Sequence, residues 1–234
     1  MKLLAVETAT EACSAALSMD GVITECYTVA GNTHSQLILP MIDSLMNEAG
    51  LLPSDLEGLA FGRGPGSFTG VRIATGVVHG LACGLDLQIV PVSTLQAVAQ
   101  DYFDLHDAAL VYVAMDARMG EIFWGVYQRN QHGIAELIGN ETVTPATHVV
   151  FPDRIGVGIG TAWQIYSEVL LNRLDGRVQV YQADCLPKAR AVARLGVLGF
   201  THGLAVPVEL AMPVYLRDKV AQTESERLNL ANGA

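Results

Sequence analysis

Two carboxylates are placed to do chemistry: Glu7 and Asp116, each closing a short apolar run just before a turn. An acidic residue at a strand end, followed by a glycine turn, lets backbone N–H groups approach phosphates. Glu7 is followed by Thr8-Ala9-Thr10, which keeps the acid and lacks the glycine. A solvated carboxylate closing a hairpin fits Glu7 as well as a metal or phosphate contact does. Asp116 has Gly120 nearby, and Arg118 could simply neutralise it.

The string Gly62-Arg63-Gly64-Pro65-Gly66-Ser67 precedes a helix whose first turn offers free N–H groups. Gly66 and Ser67 are therefore candidate nucleotide or anion contacts alongside Glu7, with Ser67 or Thr69 as a plain N-cap and tight loop packing as the alternative. No Gly-Lys-Ser/Thr follows at Walker spacing, so this is not a P-loop. Gly156-Val157-Gly158-Ile159-Gly160-Thr161 is a second strand-to-helix turn of the same kind. The six histidines show neither HExxH nor HxxxH spacing, and Ser67 has no GxSxG elbow. Neither a metal site nor a nucleophile triad can be assembled from the spacing.

These residues need a scaffold. Lys2 to Val6, Ala12 to Ser18 and Val22 to Val29 read as a three-strand meander. A helix is expected over 34–48 with Asn32 or Thr33 as N-cap and Gly50 as its stop. A strand over 59–62, a buried helix over about 68–84, a strand over 87–92 and a helix over 94–103 follow. A second meander begins at Leu110, with Glu121 to Tyr127 as hairpin partner. Beyond it come strands at 154–157 and 178–181, and helices at 161–171 and 187–203, the last with Pro187 in its first turn. Ala5-Val6-Glu7-Thr8-Ala9 and Ala114-Met115-Asp116-Ala117-Arg118 suggest a faint internal duplication, although any two hairpins look alike over so few residues. The pattern gives an α/β protein with ribonuclease H-like layering. The lobes would be 1–104 and 105–220, divided near Asp104 to Ala108. The polar tail over 221–234 is expected to fray.

Composition bounds the partners. The 234 residues are 50% hydrophobic, enough for a sizeable core, and 14 Lys and Arg against 24 Asp and Glu give a formal charge of −10. Such a surface repels a phosphate backbone, so another subunit would hold most of any nucleic acid. Cys13, Cys26, Cys83 and Cys185 form no CxxC pair and the chain opens directly on a strand, which implies reduced thiols and a cytoplasmic home. The apolar stretch 73–92 contains His79, Asp86 and Pro91 and reads as a buried helix and strand, with no membrane involved.

Two helices carry more apolar surface than one packed face needs. Leu37, Ile38, Leu39, Met41, Ile42, Leu45 and Met46 exceed a single stripe, and Gly76, Gly80 and Gly84 recur every fourth residue, exposing a flat strip of backbone. The expected partner surface is Leu37, Met41, Leu45, Gly76 and Gly80. The alternative is that these helices pack only on each other.

Leu4-Ala5-Val6-Glu7-Thr8-Ala9-Thr10, the long string from Gly62 to Arg72, Pro91-Val92-Ser93-Thr94-Leu95 and Pro213-Val214-Tyr215-Leu216-Arg217 together resemble the bacterial TsaB (YeaZ) family, almost end to end. That resemblance implies two ribonuclease H-like lobes of the actin-like ATPase (ASKHA) superfamily, the second smaller and degenerate. It implies an accessory, non-catalytic subunit in forming threonylcarbamoyladenosine (t6A) beside the anticodon of tRNAs reading codons that begin with A. The implied partners are the catalytic paralogue TsaD and the ATPase TsaE, with a homodimer using the same helical surface and tRNA engaged mainly through the complex. No cofactor is expected on this chain alone; ATP or ADP could lie at the junction with TsaD. Where TsaD carries an HxxxH metal pair, the aligned positions are Thr94 and Val98, which cannot replace histidine ligands. The rival readings are a glycoprotease-like peptidase and an ATP-binding sugar or acetate kinase-like protein.

Overall fold

Alternate residues of the first strand serve two different cores. In the computed structural model, which describes residues 1–217, β1 (Leu3–Glu7) is buried throughout: Leu4 and Val6 face one hydrophobic cluster, Leu3 and Ala5 another. A strand covered on both faces reads as a continuous apolar run. Around it lie β2 (Ala12–Met19), β3 (Val22–Val29), β4 (Gly58–Gly62) and β5 (Ile89–Val92), in the order β3-β2-β1-β4-β5. β1 is antiparallel to β2 and parallel to β4, and Glu7 ends the strand beside Gly62. On one face pack α1 (His34–Glu48) and α2 (Phe68–Leu85).

The second half repeats this layout. β6 (Leu110–Asp116), β7 (Glu121–Arg129), β8 (Ala135–Pro145), β9 (Gly156–Ile159) and β10 (Val178–Gln182) order as β8-β7-β6-β9-β10, the first sheet's order strand for strand. α4 (Ala162–Leu174) joins β9 to β10 as α2 joins β4 to β5, while the counterpart of α1 is reduced to a single 3-10 turn, Ala146–His148. The shared order answers the doubt left by two similar hairpins: the halves are duplicated, and the second is the degenerate one. The fold is a two-lobe α/β fold built on two five-stranded mixed sheets.

The last helix of each half crosses over. α3 (Thr94–Leu105) follows β5, yet Leu95, Val98, Ala99 and Phe103 pack with Val111, Val113, Phe123 and Tyr127 of the second sheet. α5 (Ala189–Thr201) follows β10, yet Ala189, Val192 and Leu195 pack with Leu3, Ala5, Ala60 and Val90 of the first. Gly196 and Gly199 allow this approach: a Cβ at Gly196 would lie 2.7 Å from the Ala60 Cβ, and one at Gly199 2.6 Å from Val90. Asp101 of α3 pairs with Arg190 (2.5 Å) of α5 and Lys188 (3.3 Å) just before it, fastening the two exchanged helices together.

Several expected boundaries move. β8 is an additional, half-exposed edge strand whose Glu136, Gly139, Asn140 and Glu141 hide any alternation, with a register shift opposite Trp124 and Val126. α5 starts at Ala189, so Pro187 precedes its N-cap, Lys188, instead of sitting in the first turn. Thr33 is the N-cap of α1 by position, but its hydroxyl donates back to the Ala30 carbonyl at 2.8 Å. α2 is 18 residues long with mean hydropathy 1.3, long and apolar enough for a bilayer; the expected buried helix buries only one face, through Val71, Ala74, Val78 and Ala82. The expected tail over 221–234 lies outside the described residues.

Candidate functional site

The C-terminal end of β1 is the point on which several elements meet. The Glu7 side chain is fully buried, and a Cβ at Gly62 would run into its carboxylate. It accepts from the Ala9 N–H at 2.6 Å and from the Thr94 hydroxyl at 3.2 Å. Burial pushes its pKa from 4.5 up to about 7, against the pull of those hydrogen bonds and one from the Thr8 backbone. No ion pair reaches it among the described residues. Glu7 is thus not a solvated hairpin carboxylate: it is buried, and among the described residues its bonds are to the protein's own chain.

The glycine-rich loop is packed onto the same turn. The Ser67 N–H donates to the Ala9 carbonyl at 2.7 Å, and the Thr8 hydroxyl to the Gly70 carbonyl at 2.7 Å. A Cβ at Gly66 would lie 2.8 Å from that of Ala9, and one at Gly70 would overlap the Thr8 carbonyl. Ser67 is the N-cap, its hydroxyl accepting from the Gly70 N–H at 3.4 Å. The loop's close approaches and the Ser67 amide are used internally, which favours the packing role over the anion role at Gly66 and Ser67.

A 910 Å³ cleft opens between the lobes, bordered by Ser67, Thr69, Asp116, Arg118, Thr161 and Arg217. Asp116 is bonded to the Arg118 N–H at 2.9 Å and its carboxylate pairs with the Arg118 guanidinium at 3.1 Å, so the neutralising arginine is in place. The Asp116 N–H donates to Thr161 at 3.2 Å, and Gly160, at φ +105°, sits against the Ala114 carbonyl; this glycine turn too is a packing device. Thr94 is fully buried on Glu7, and Val98 is buried in the core shared by α3 and the second sheet. Among the described residues no three His, Cys, Asp or Glu side chains gather as a metal set.

The expected partner face divides. Gly76 and Gly80 are exposed, and a Cβ at either, or at Gly84, would meet nothing within 4 Å among the described residues. Leu37 and Met41 are half-buried along the edge of the core beneath α1 and α2. Leu45 is a correction: at 3% exposure it points into that core, and Leu39, at 55%, is the outward leucine of α1.

Some features of the site carry no signature in the sequence. Glu141 on β8 accepts from both Ser93 and Tyr127, bridging the start of α3 to the second sheet, on a strand that no sequence pattern marks. Phe68, Arg72 and Tyr215 stack at the rim of the cleft, the Arg72 guanidinium 3.2 Å from the Phe68 ring centroid. Only the shared presence of Phe68 and Tyr215 in the family-like strings hinted at the latter.

Comparison with known proteins decides the family. The family model described as "TsaD: tRNA N6-adenosine threonylcarbamoyltransferase" matches residues 15–224. The "tRNA threonylcarbamoyladenosine biosynthesis protein TsaB" of Escherichia coli K12 is 40% identical over 94% of this chain and 96% of its own. This chain belongs to the TsaB (YeaZ) family. The Haemophilus influenzae protein of the same name is 36% identical over 94% of this chain and 95% of its own. Among solved structures, YeaZ from Pseudomonas aeruginosa is 42% identical with a TM-score of 0.86, covering 92% of this chain and 99% of that one. In this TsaB-family chain, the range matched by the family model, 15–224, spans the glycine-rich loop and the outward glycines of α2.

Proposed function

We propose that this chain is an accessory subunit in t6A formation on tRNA, and that it acts by binding the catalytic TsaD subunit through the α1–α2 face and helping to engage TsaE. The observation that carries this reading is the outward strip Gly76, Gly80 and Gly84. Glycine inside a helix costs about 0.5–1 kcal/mol relative to alanine, and among the described residues nothing fills the space around these three. A partner helix lying close against the strip would account for them. Thr94 and Val98, one tied to Glu7 and one packed in the core, support leaving the transfer chemistry to the partner. The same face would serve a homodimer, and tRNA, repelled by a formal charge of −10, would be held mainly by the complex, in the cytoplasm. Because the Ser67 amide is already bonded, any ATP or ADP would be held jointly with TsaD at the junction.

The test is reconstitution of tRNA threonylcarbamoylation from TsaD, TsaE and the enzyme forming the carbamoyl-adenylate, with and without this chain. Product formation should depend on it. Gly76→Leu or Gly80→Leu should leave the isolated chain folded, lower co-purification with TsaD by about tenfold or more, and lower modification in step. Undiminished co-purification of both variants would sink the assignment of this face.

A further inference from the structure

After α5 the chain crosses the molecule as a strap over 204–217, extended apart from one 3-10 turn, Val208–Leu210. It is tied first to the first lobe. Val206 exchanges both backbone hydrogen bonds with Ile89 of β5 at 2.9 Å, the His79 Nε2 of α2 donates to the Ala211 carbonyl at 2.8 Å, and the Val214 N–H donates to the Arg63 carbonyl at 2.8 Å. The Tyr215 ring then lies against Phe68, centroids 5.8 Å apart. Arg217, the last described residue, reaches the other lobe. Its Nη2 stands 2.5 Å from the Glu121 carboxylate and donates to the Arg118 carbonyl at 3.2 Å, and its Nη1 lies 3.6 Å from the Met119 Sδ. The strap thus lines the cleft with Val214, Tyr215, Leu216 and Arg217 and ends on the opposite wall.

What Arg217 grips is a turn held against its own preference. Between β6 and β7, Arg118, Met119 and Gly120 are all left-handed, at φ +63°, +57° and +79°, and the Glu121 N–H closes the turn on the Arg118 carbonyl at 3.1 Å. Turns of this hand favour Asn-Gly at the centre, and other side chains persist there only when the surroundings impose it. Here the central pair is Met119-Gly120, and the constraint comes from a distant segment, through a guanidinium bonded to the same Arg118 carbonyl and to Glu121. The corresponding turn of the first lobe is held within its own lobe, by the bonds of Thr8 and Ala9 to Gly70 and Ser67. We propose that Arg217 is an interlobe latch: engaged, it keeps the β6–β7 turn left-handed and the cleft closed; released, it lets the turn relax and the lobes part at the cleft. Asp101 with Lys188 and Arg190 also joins the two lobes but lies off the cleft lining, and serves as the fixed end of that motion. The latch is a property of the isolated chain and stands whether or not the α1–α2 face binds a partner.

A distance measurement and amide exchange on the full chain test it together. Spin labels carried by unnatural amino acids at Thr69 and Gln164, on opposite walls of the cleft, leave the native cysteines untouched. Electron–electron double resonance should give a longer, broader separation in Arg217→Ala than in the wild type. Glu121→Ala, which removes the receiving carboxylate, should do the same and carries the test if Arg217→Ala folds poorly. In both variants, protection of the N–H at position 121 should fall by about tenfold or more, while the Val113 N–H of β6, the control for global unfolding, holds. Met119→Asn, added to either variant, supplies the side chain this turn favours: protection at 121 should largely recover while the separation stays long. That combination distinguishes strain in the turn from the hold on the lobes. An unchanged separation in both latch variants, unchanged protection at 121, or protection that Met119→Asn does not restore would overturn the proposal.

Discussion

At the scale of single residues, Glu7 makes the overall stability of the protein depend on pH. Its folded pKa of about 7 lies above the unfolded value of 4.5, so the native state retains a proton that the unfolded chain has released in between. The stability this contributes is complete below 4.5, declines through the interval, and is gone once the pH passes about 7. At about 1.4 kcal/mol per pKa unit, the contribution is on the order of 3 kcal/mol. Denaturant titrations at acid and neutral pH should therefore show the wild type losing stability across this interval, with Glu7→Gln flat over the same range. A wild type with no more slope than Glu7→Gln would refute the raised pKa. The sequence placed an acid at the end of β1 but could not give its burial, which is made by Gly62, Thr94 and the turn closing over it from three separate segments. Leu45 failed for a related reason: the surplus of apolar side chains on α1 is countable, whereas its rotation about the helix axis is fixed by contacts with the first sheet.

At the scale of elements, local pattern was a good guide where an element has one clear face. α1 runs over the expected 34–48, because its apolar side chains recur at helical spacing and Gly50, at φ +65°, supplies the left-handed stop. β8 was unreadable because an edge strand with one face in water, a kink at Gly139 and polar residues on both sides has no period-two signature. The face of α5 was legible and its destination was not: a helix's apolar stripe says that it must be covered and says nothing of which sheet covers it. The close seat of α5 gives a measurable consequence. Gly196→Ala would place a methyl 2.7 Å from the Ala60 Cβ and 3.2 Å from Leu3, where neither neighbour can swing away as a long side chain would. Destabilisation of about 1–3 kcal/mol is expected in chemical denaturation, despite the better helix propensity of alanine. A stabilised Gly196→Ala protein would mean that α5 rides looser on the sheet than the packing implies.

At the scale of the whole molecule, the lobes are duplicated in topology and joined by exchange. Each ends in a helix that finishes the core of the other, and the Asp101, Lys188 and Arg190 cluster fastens those helices across the boundary. The division near Asp104 to Ala108 marks where the chain passes from one sheet to the next. It does not separate two self-sufficient cores. A fragment of residues 1–104 should lack a cooperative thermal transition by circular dichroism, since Leu3, Ala5, Ala60 and Val90 would face water without α5. A sharp two-state melt of that fragment would contradict the interdependence. During translation, moreover, the first sheet leaves the ribosome long before residues 189–201 that cap it. The N-terminal half is thus synthesised first and closed last. The usual vectorial order, in which the leading domain folds while the rest is still being made, is denied to this chain. Its nascent form would carry a bare apolar sheet face for most of its synthesis, a natural substrate for ribosome-associated chaperones.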